Sequence, residues 1–303
     1  MSARGLLDVV VVGGGAAGAA AAAALAQSGF DVALVEPSLP TAAATDAPLD
    51  ARVIALSPAS VRFIDRISAW PLAAGRAFAY RDMEVRSGEE ILHFGRDLVA
   101  EPALGWIVEL RALQAAVFAA ARSRVVAVHA ARVVRCERSE KEARIELDDG
   151  TRLRARLVVA AEGGRSLLRE ASGIAVDTHD YRCRAIVAHL GTEQPNPGMA
   201  FQRFLRGGPL ALLPIDGGRS SLVWTRPEAE VDALLALDDA AFCEALSAAS
   251  ERRFGAVVAS TPRLAFPLRL QLAQRYFDER LVLLGDTAHV VHPLAGLGLN
   301  LGL

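Results

Sequence analysis

Leu7-Asp8-Val9-Val10-Val11-Val12-Gly13-Gly14-Gly15-Ala16-Ala17-Gly18 is the stretch on which the fold turns. Leu7 to Val12 is a short, apolar, β-branched run, the pattern of a strand buried in a parallel sheet. An alanine-rich helix follows the glycines to Gln27, and Ser28-Gly29 stops it. Phe30 to Val35 predicts the next strand, with Glu36 at its carboxyl end. The glycines then take distinct tasks. Gly13 permits a tight turn, Gly15 lets the backbone approach a pyrophosphate, and Gly18 lets helix and strand pack closely. The anion sits on unpaired N–H groups at the helix amino terminus, and Glu36 is placed to accept hydrogen bonds from ribose hydroxyls. Strand, glycine turn, helix, strand and acid in this order specify a dinucleotide site. They fit FAD and NAD alike.

The run Val9 to Ala26 has no charge and follows Arg4, so it resembles a signal peptide or membrane span. Its three consecutive glycines and Asp8 at its edge favour the turn instead, and no other stretch is long and apolar enough to cross a bilayer. Any membrane contact is expected to be peripheral. A chain of 303 residues with 52% hydrophobic content can bury the cores of about two domains. Lys+Arg (33) nearly balances Asp+Glu (35), which gives no electrostatic reason for a nucleic-acid partner. Lys141 is the sole lysine; with the abundant alanine this reflects codon bias, not function. Cys136, Cys183 and Cys243 lie far apart, which argues against a disulfide framework or a dithiol redox centre and fits a reducing cytoplasm.

Arg52 precedes a helix that Ser57 can cap and Pro58 can open. A second helix runs from Glu109 to about Arg122, with Leu110, Leu113 and Val117 on one face and Arg111 off it. Residues 125–160 predict three strands with a hairpin turn at Asp149-Gly150. The last runs into Glu162-Gly163-Gly164-Arg165-Ser166 and a short helix containing Arg169. Residues 181–226 change to strands separated by turns, followed by helices at Pro227–Leu237 and Asp239–Ser250. Then Leu281 to Leu284 predicts a buried strand with Gly285-Asp286 at its end, where a carboxylate can bind sugar hydroxyls. Pro293, then Gly296-Leu297-Gly298 before a helix carrying Asn300, would let backbone N–H groups reach a planar ring; for a flavin they stabilise negative charge in the reduced state. His289 and His292 lack a third ligand nearby, so no metal site is expected. There is no nucleophile elbow and no P-loop.

The glycine turn with Glu36, Glu162-Gly163-x-x-Ser166-x-x-Arg169, and Gly285-Asp286 occur in the order found in group A flavin monooxygenases of the para-hydroxybenzoate hydroxylase fold. Asp50 to Ser57, Gly105 to Glu109, Gly208 to Pro214 and Gly285 to Asn300 resemble the ubiquinone-biosynthesis hydroxylases among them, and the resemblance covers essentially the whole chain. It implies an α/β architecture, a Rossmann-like FAD-binding domain with an inserted β-sheet-rich substrate domain. The FAD-binding domain is expected at 1–72, 106–180 and 275–303, and the substrate domain at 73–105 and 181–274. Gly13, Gly15, Gly18 and Glu36 would hold the ADP half of FAD, and Gly285 and Asp286 the ribityl chain. Arg52 and Arg111 would flank the cofactor, with Glu162 in its binding shell. Pro293, Gly296, Leu297, Gly298 and Asn300 would form the loop against the flavin ring. The strands Phe201–Pro214 and Ser221–Trp224 would cover the substrate pocket.

The implied reaction is hydroxylation of a polyprenylated phenol with O2, after transient NAD(P)H reduces FAD. A single dinucleotide fingerprint agrees with that, and no acid or base can be named because the flavin carries the chemistry. Other implied features are a ubiquinone-biosynthesis complex and a cytoplasmic location with peripheral contact to the inner membrane. Two departures stand out. Glu162 replaces the family's Asp, moving the carboxylate by roughly a bond length, which bears on NAD(P)H handling. The chain also stops at Leu303, inside the helix after the glycine loop, where the resemblance predicts a further helical region. Weak FAD retention and poor hydroxylation are therefore expected of a chain ending there. The competing readings are a hydroxylase of another aromatic substrate, a non-catalytic FAD-binding scaffold, and a flavin reductase of isoprenoid double bonds.

Overall fold

In the computed structural model, which describes residues 5–41, 47–98 and 100–303, the amino-terminal run forms β1 (Leu7–Val12), α1 (Ala16–Gln27) and β2 (Val32–Val35). β1 lies between β2 and the strand Arg152–Ala160, parallel to both. Ala127–His129 extends the sheet beyond β2, and Leu281–Leu283 extends it beyond Arg152–Ala160, again parallel. The chain leaves β1 on one side through α1 and β2, while Arg152–Ala160 occupies the other. A crevice opens between their carboxyl-end loops, the switch point at which open α/β sheets bind ligands.

Both faces of this sheet are buried, which is why its strands read as unbroken apolar runs. Val9, Val11, Val32 and Leu34 face α1 and the helix Leu110–Arg122. Val10, Val12, Ala33 and Val35 face a second core with Ile145, Leu147 and Leu168. α1 buries Ala16, Ala19, Ala20, Ala22 and Ala23, side chains small enough for close approach to sheet and neighbouring helix. The stretch that resembled a membrane span is therefore interior strand and helix, and no helix among the described residues is long and apolar enough to cross a bilayer.

Two boundaries differ from the sequence reading. β2 starts at Val32, because Phe30 is half exposed and outside the sheet. Residues 125–160 hold four strands, Ala127–His129, Val133–Arg138, Ala143–Leu147 and Arg152–Ala160, where three were expected. The chain breaks before Val133, where Arg132 N–H donates to Asp148 Oδ1 at 2.9 Å. Ala127–His129 thus joins the parallel sheet while Val133–Arg138 pairs antiparallel with Ala143–Leu147.

A nine-stranded, mostly antiparallel sheet lies over the crevice. Its long strand Val176–Thr192 passes through residues 180 and 181, with a register shift between Asp180 and Cys183. His289–Val290 also joins this sheet, against Leu264–Ala273, so the carboxyl-terminal segment belongs to both halves of the molecule. On the outer face Phe201, Leu210, Leu212, Leu222 and Trp224 pack against Val231, Phe242 and Leu246 from the helices Glu228–Ala236 and Asp239–Ala249. On the inner face the register aligns Val85, Gln202, Ala211, Val223 and Val187 in one cross-strand row. A small third sheet, Val53–Leu56, Gly105–Glu109 and Ala77–Tyr80, lies beside the crevice.

Candidate functional site

The carboxyl-end loops of the parallel sheet and the inner face of the nine-stranded sheet enclose a cavity of about 650 Å3, within the range of small-molecule and cofactor sites. Gly13, at φ +109°, turns the chain where a Cβ would overlap the Ala161 carbonyl oxygen. A Cβ on Gly18 would overlap the Gly13 carbonyl and come within 2.9 Å of Ala161 Cβ. Gly15 is different: a Cβ there meets nothing within 4 Å. Its missing side chain therefore leaves room inside the cavity rather than between packed elements. α1 begins at this point with no side-chain cap, so its first-turn N–H groups remain available to an anion. Glu36 Oε2 accepts from Gly14 N–H at 2.6 Å, and Oε1 from Ser38 N–H at 2.8 Å. That fixes the carboxylate at the rim with lone pairs to spare.

The second and third loops are joined to each other. Gly163 N–H donates to Thr287 Oγ1 at 3.0 Å, and the Thr287 hydroxyl returns a bond to Gly163 O at 3.1 Å. The buried Arg169 guanidinium donates to Thr287 O at 3.1 Å and Gly164 O at 2.9 Å. Glu162 lines the cavity but spends Oε2 on the Ser166 hydroxyl and Leu168 N–H. Its carboxylate thereby supports the start of the helix Leu167–Ala171, which Ser166 caps. Burial raises the Glu162 pKa, against those hydrogen bonds and Arg169.

Gly296, at φ +64°, lies against Ala55, where a Cβ would come within 2.8 Å of the Ala55 Cβ. Asn300 holds this last loop without lining the cavity. Its amide donates to Ala55 O at 2.7 Å and Gly296 O at 2.6 Å, and its oxygen accepts from Ser57 N–H at 2.9 Å and Ser60 Oγ at 2.8 Å. Pro293, Gly296 and Gly298 all line the cavity, as do Gly285 and Asp286. Leu297 opens the helix Leu297–Gly302; its side chain lies outside the described residues.

The structure does not bring Arg52 and Arg111 to the cavity wall. Each follows or precedes a lining residue (Val53, Leu110), but both guanidinium groups turn to Asp50, with Nε to carboxylate distances of 3.9 and 3.8 Å. Both remain more than half exposed. His289 and His292 also have separate surroundings. His289 stacks on Tyr276 with ring centroids 6.1 Å apart, while His292 meets Tyr181 edge-on at 5.2 Å. Among the described residues no group of ligands could hold a metal. Tyr80, Gln114, Gln202 and Thr225 line the cavity and were not singled out from sequence. The expected strands Phe201–Pro214 and Ser221–Trp224 do contribute to such a wall: Pro209, Ala211 and Leu213 face the cavity, whereas Leu210 and Leu212 are buried.

Asp286 is exposed at the cavity rim, yet desolvation by the surrounding protein raises its carboxyl pKa, while His289 opposes the shift. A folded-state pKa above the ordinary 3.8 means that the folded chain holds its proton longer than the unfolded chain. Stability of the apo-protein is then lost as pH rises from that ordinary value through the raised one. Asp286→Asn is accordingly expected to raise the apo melting temperature at pH 7, with the advantage vanishing below pH 3.8. An equal or lower melting temperature at pH 7 would contradict this account.

Comparison with known proteins agrees with this geometry. A family model described as FAD binding domain matches residues 6–303. The chain is 39% identical to the ubiquinone hydroxylase UbiL of Rhodospirillum rubrum, over 100% of this chain and 71% of that protein. It is 33% identical to the 3-demethoxyubiquinol 3-hydroxylase of Escherichia coli K12, over 92% of this chain and 72% of that protein. Among solved structures, PqsL of Pseudomonas aeruginosa in complex with 2-aminobenzoylacetate superposes with a TM-score of 0.76 at 23% identity, covering 98% of this chain and 83% of that one. The p-nitrophenol 4-monooxygenase PnpA of Pseudomonas putida gives 0.75 at 19% identity, covering 97% and 76%. These two share the fold. By the family match and the sequence relatives together, this chain belongs to the FAD-dependent monooxygenase family that includes the ubiquinone hydroxylases.

Proposed function

We propose that this chain hydroxylates the aromatic ring of a polyprenylated phenol in ubiquinone biosynthesis, using NAD(P)H and O2. The observation that carries the reading is one cavity with two unlike sides. Cofactor loops with Glu36, Asp286 and an uncapped helix terminus form one side, and Met83, Pro209, Ala211, Leu213 and Val223 form the other. FAD fits the first side: Gly15 leaves open space beside the first-turn N–H groups, where a diphosphate can approach. Glu36 and Asp286 have the acceptors that ribose and ribityl hydroxyls need. Bound there, FAD would accept electrons from NAD(P)H and activate O2 for transfer of one oxygen atom to the ring.

The chain's own groups bind, orient and exclude water. The Gly296–Gly298 segment would present backbone N–H groups to the flavin ring, held in place by Asn300. His292 Nδ1 accepts from Leu294 N–H at 3.1 Å, and burial lowers its pKa, which favours the neutral ring with its proton on Nε2. Arg52 and Arg111 would reach the cofactor only by leaving Asp50, which makes them mobile counter-charges rather than fixed walls. The apolar tail would leave along the same sheet face, where Leu92, Phe94 and Phe204 are exposed beside Val85. That strip also supports contact with a membrane surface.

The test is the visible spectrum of the purified protein after FAD addition and gel filtration, followed by turnover with a short-chain prenylated phenol. The reading predicts retained flavin, substrate-stimulated NADH or NADPH oxidation, and a product carrying one atom of isotopically labelled O2, a result that would also set aside the weak retention and poor hydroxylation expected of a chain ending at Leu303. Retained flavin with every phenol recovered unchanged would overturn the reading.

A further inference from the structure

The sheet wall opposite the cofactor loops is mostly apolar, and Gln202 and Thr225 are its polar members. In the row Val85, Gln202, Ala211, Val223, Val187, only Gln202 carries a polar side chain. It is 9% exposed, and it lines the cavity. Among the described residues its amide makes no hydrogen bond. A primary amide carries two donors and an acceptor, and with no protein partner these are open to whatever occupies the cavity. The residues beside it are small: Ala211 is its cross-strand partner and Ala200 lies two positions back on the same strand, both lining the cavity. A flat ring can therefore come up against the wall at this point, where it would meet an unpartnered amide.

We infer that Gln202 reads the oxygen substituent of the substrate ring, its amide oxygen accepting a hydrogen bond from the phenolic hydroxyl while Ala200 and Ala211 make room for the ring. The inference rests on the proposed function, since it takes the ligand to be an oxygen-bearing aromatic. It names what that ligand must carry. A ring of the same shape without the hydroxyl fits the same space but leaves the amide unsatisfied, and sites built on buried polar groups discriminate strongly against such analogues.

The experiment is a titration of the oxidised, FAD-loaded protein with a short-chain prenylated phenol and with its counterpart lacking the hydroxyl, followed by flavin absorbance. With Gln202→Leu, the phenol is expected to bind about tenfold more weakly, and the deoxy ring within about twofold of wild type. The melting temperature should be unchanged or higher, because no protein partner is lost. Gln202→Glu should regain phenol binding as pH falls, when the buried carboxyl is protonated and again has both a donor and an acceptor. Equal phenol affinity in Gln202→Leu, or equal loss of both ligands, overturns the inference. If wild type hydroxylates the phenol in either case, the proposed function stands and only the role of Gln202 falls. If wild type neither binds nor hydroxylates any ring, both fall together.

Discussion

Gly15→Ala is expected to leave the apo-protein folded, with an unchanged melting temperature, and to weaken FAD binding on the order of 100-fold. The two halves of that result have one cause. Gly15 has φ −63° and ψ 177°, an ordinary extended conformation for alanine, and an added Cβ touches no protein atom. Its methyl would instead stand where the diphosphate has to approach the first turn of α1, and an anion pushed outward loses the N–H groups that hold it. Gly13→Ala is the contrasting variant. There φ is +109°, and the Cβ would overlap the Ala161 carbonyl oxygen. The apo-protein itself should melt at a lower temperature, because strained backbone and steric overlap are both present without ligand. Thermal melts of the two apo-proteins and fluorescence titrations with FAD separate the effects. Full FAD affinity in Gly15→Ala would place the diphosphate elsewhere.

Arg169→Ala should destabilise the protein by about 3 kcal/mol, the largest effect expected of a side chain that does not line the cavity. Its buried guanidinium is the donor for two carbonyls, Thr287 O and Gly164 O, on different loops. Removing it leaves the buried Thr287 carbonyl and the part-buried Gly164 carbonyl without that donor and opens a void between the loop after Arg152–Ala160 and the loop after Leu281–Leu283. FAD affinity should fall as well, since Glu162, Gly163 and Asp286 on those loops line the cavity. Arg169→Lys, with one point charge in place of a fork, should recover only part of the stability. Chemical denaturation with and without FAD measures both. A loss under about 1 kcal/mol would mean that the Gly163–Thr287 hydrogen bonds alone hold the loops together.

Local chemistry was legible in the sequence. The turn of Gly13, Gly15 and Gly18 follows from sterics at single positions, and the structure shows that demand at Gly13 and Gly18, while Gly15 stands open to the cavity. Ser57 and Ser166, whose hydroxyls accept from Ser60 and Arg169 N–H groups, likewise act through neighbours a few residues away. Tertiary pairing was not legible. Nothing near Arg52 or Arg111 in sequence says that both turn to one carboxylate, because Arg111 and Asp50 come together only when the third sheet pairs Val53 with Glu109. The substrate wall was half legible. Period-two alternation marks a strand, but Leu210 and Leu212 are as apolar as Pro209, Ala211 and Leu213, so hydropathy could not assign the faces. Gln202 lies between Phe201 and Arg203 in a strand of mixed character, and only the register with Ala211 and Val85 shows which way it points.

Asn300 binds Ala55, Ser57 and Ser60 across 240 to 245 residues of chain. The strand Leu281–Leu283 likewise enters the parallel sheet beside Arg152–Ala160 only after eight strands of the nine-stranded sheet have been traversed. Contacts this distant close large loops, and they form late and slowly in a folding chain. The flavin site therefore has no early, half-built version. Newly made chain could pack β1, α1 and β2 together while still unable to grip the whole cofactor. The appearance of bound flavin colour would then mark the end of folding and not its beginning.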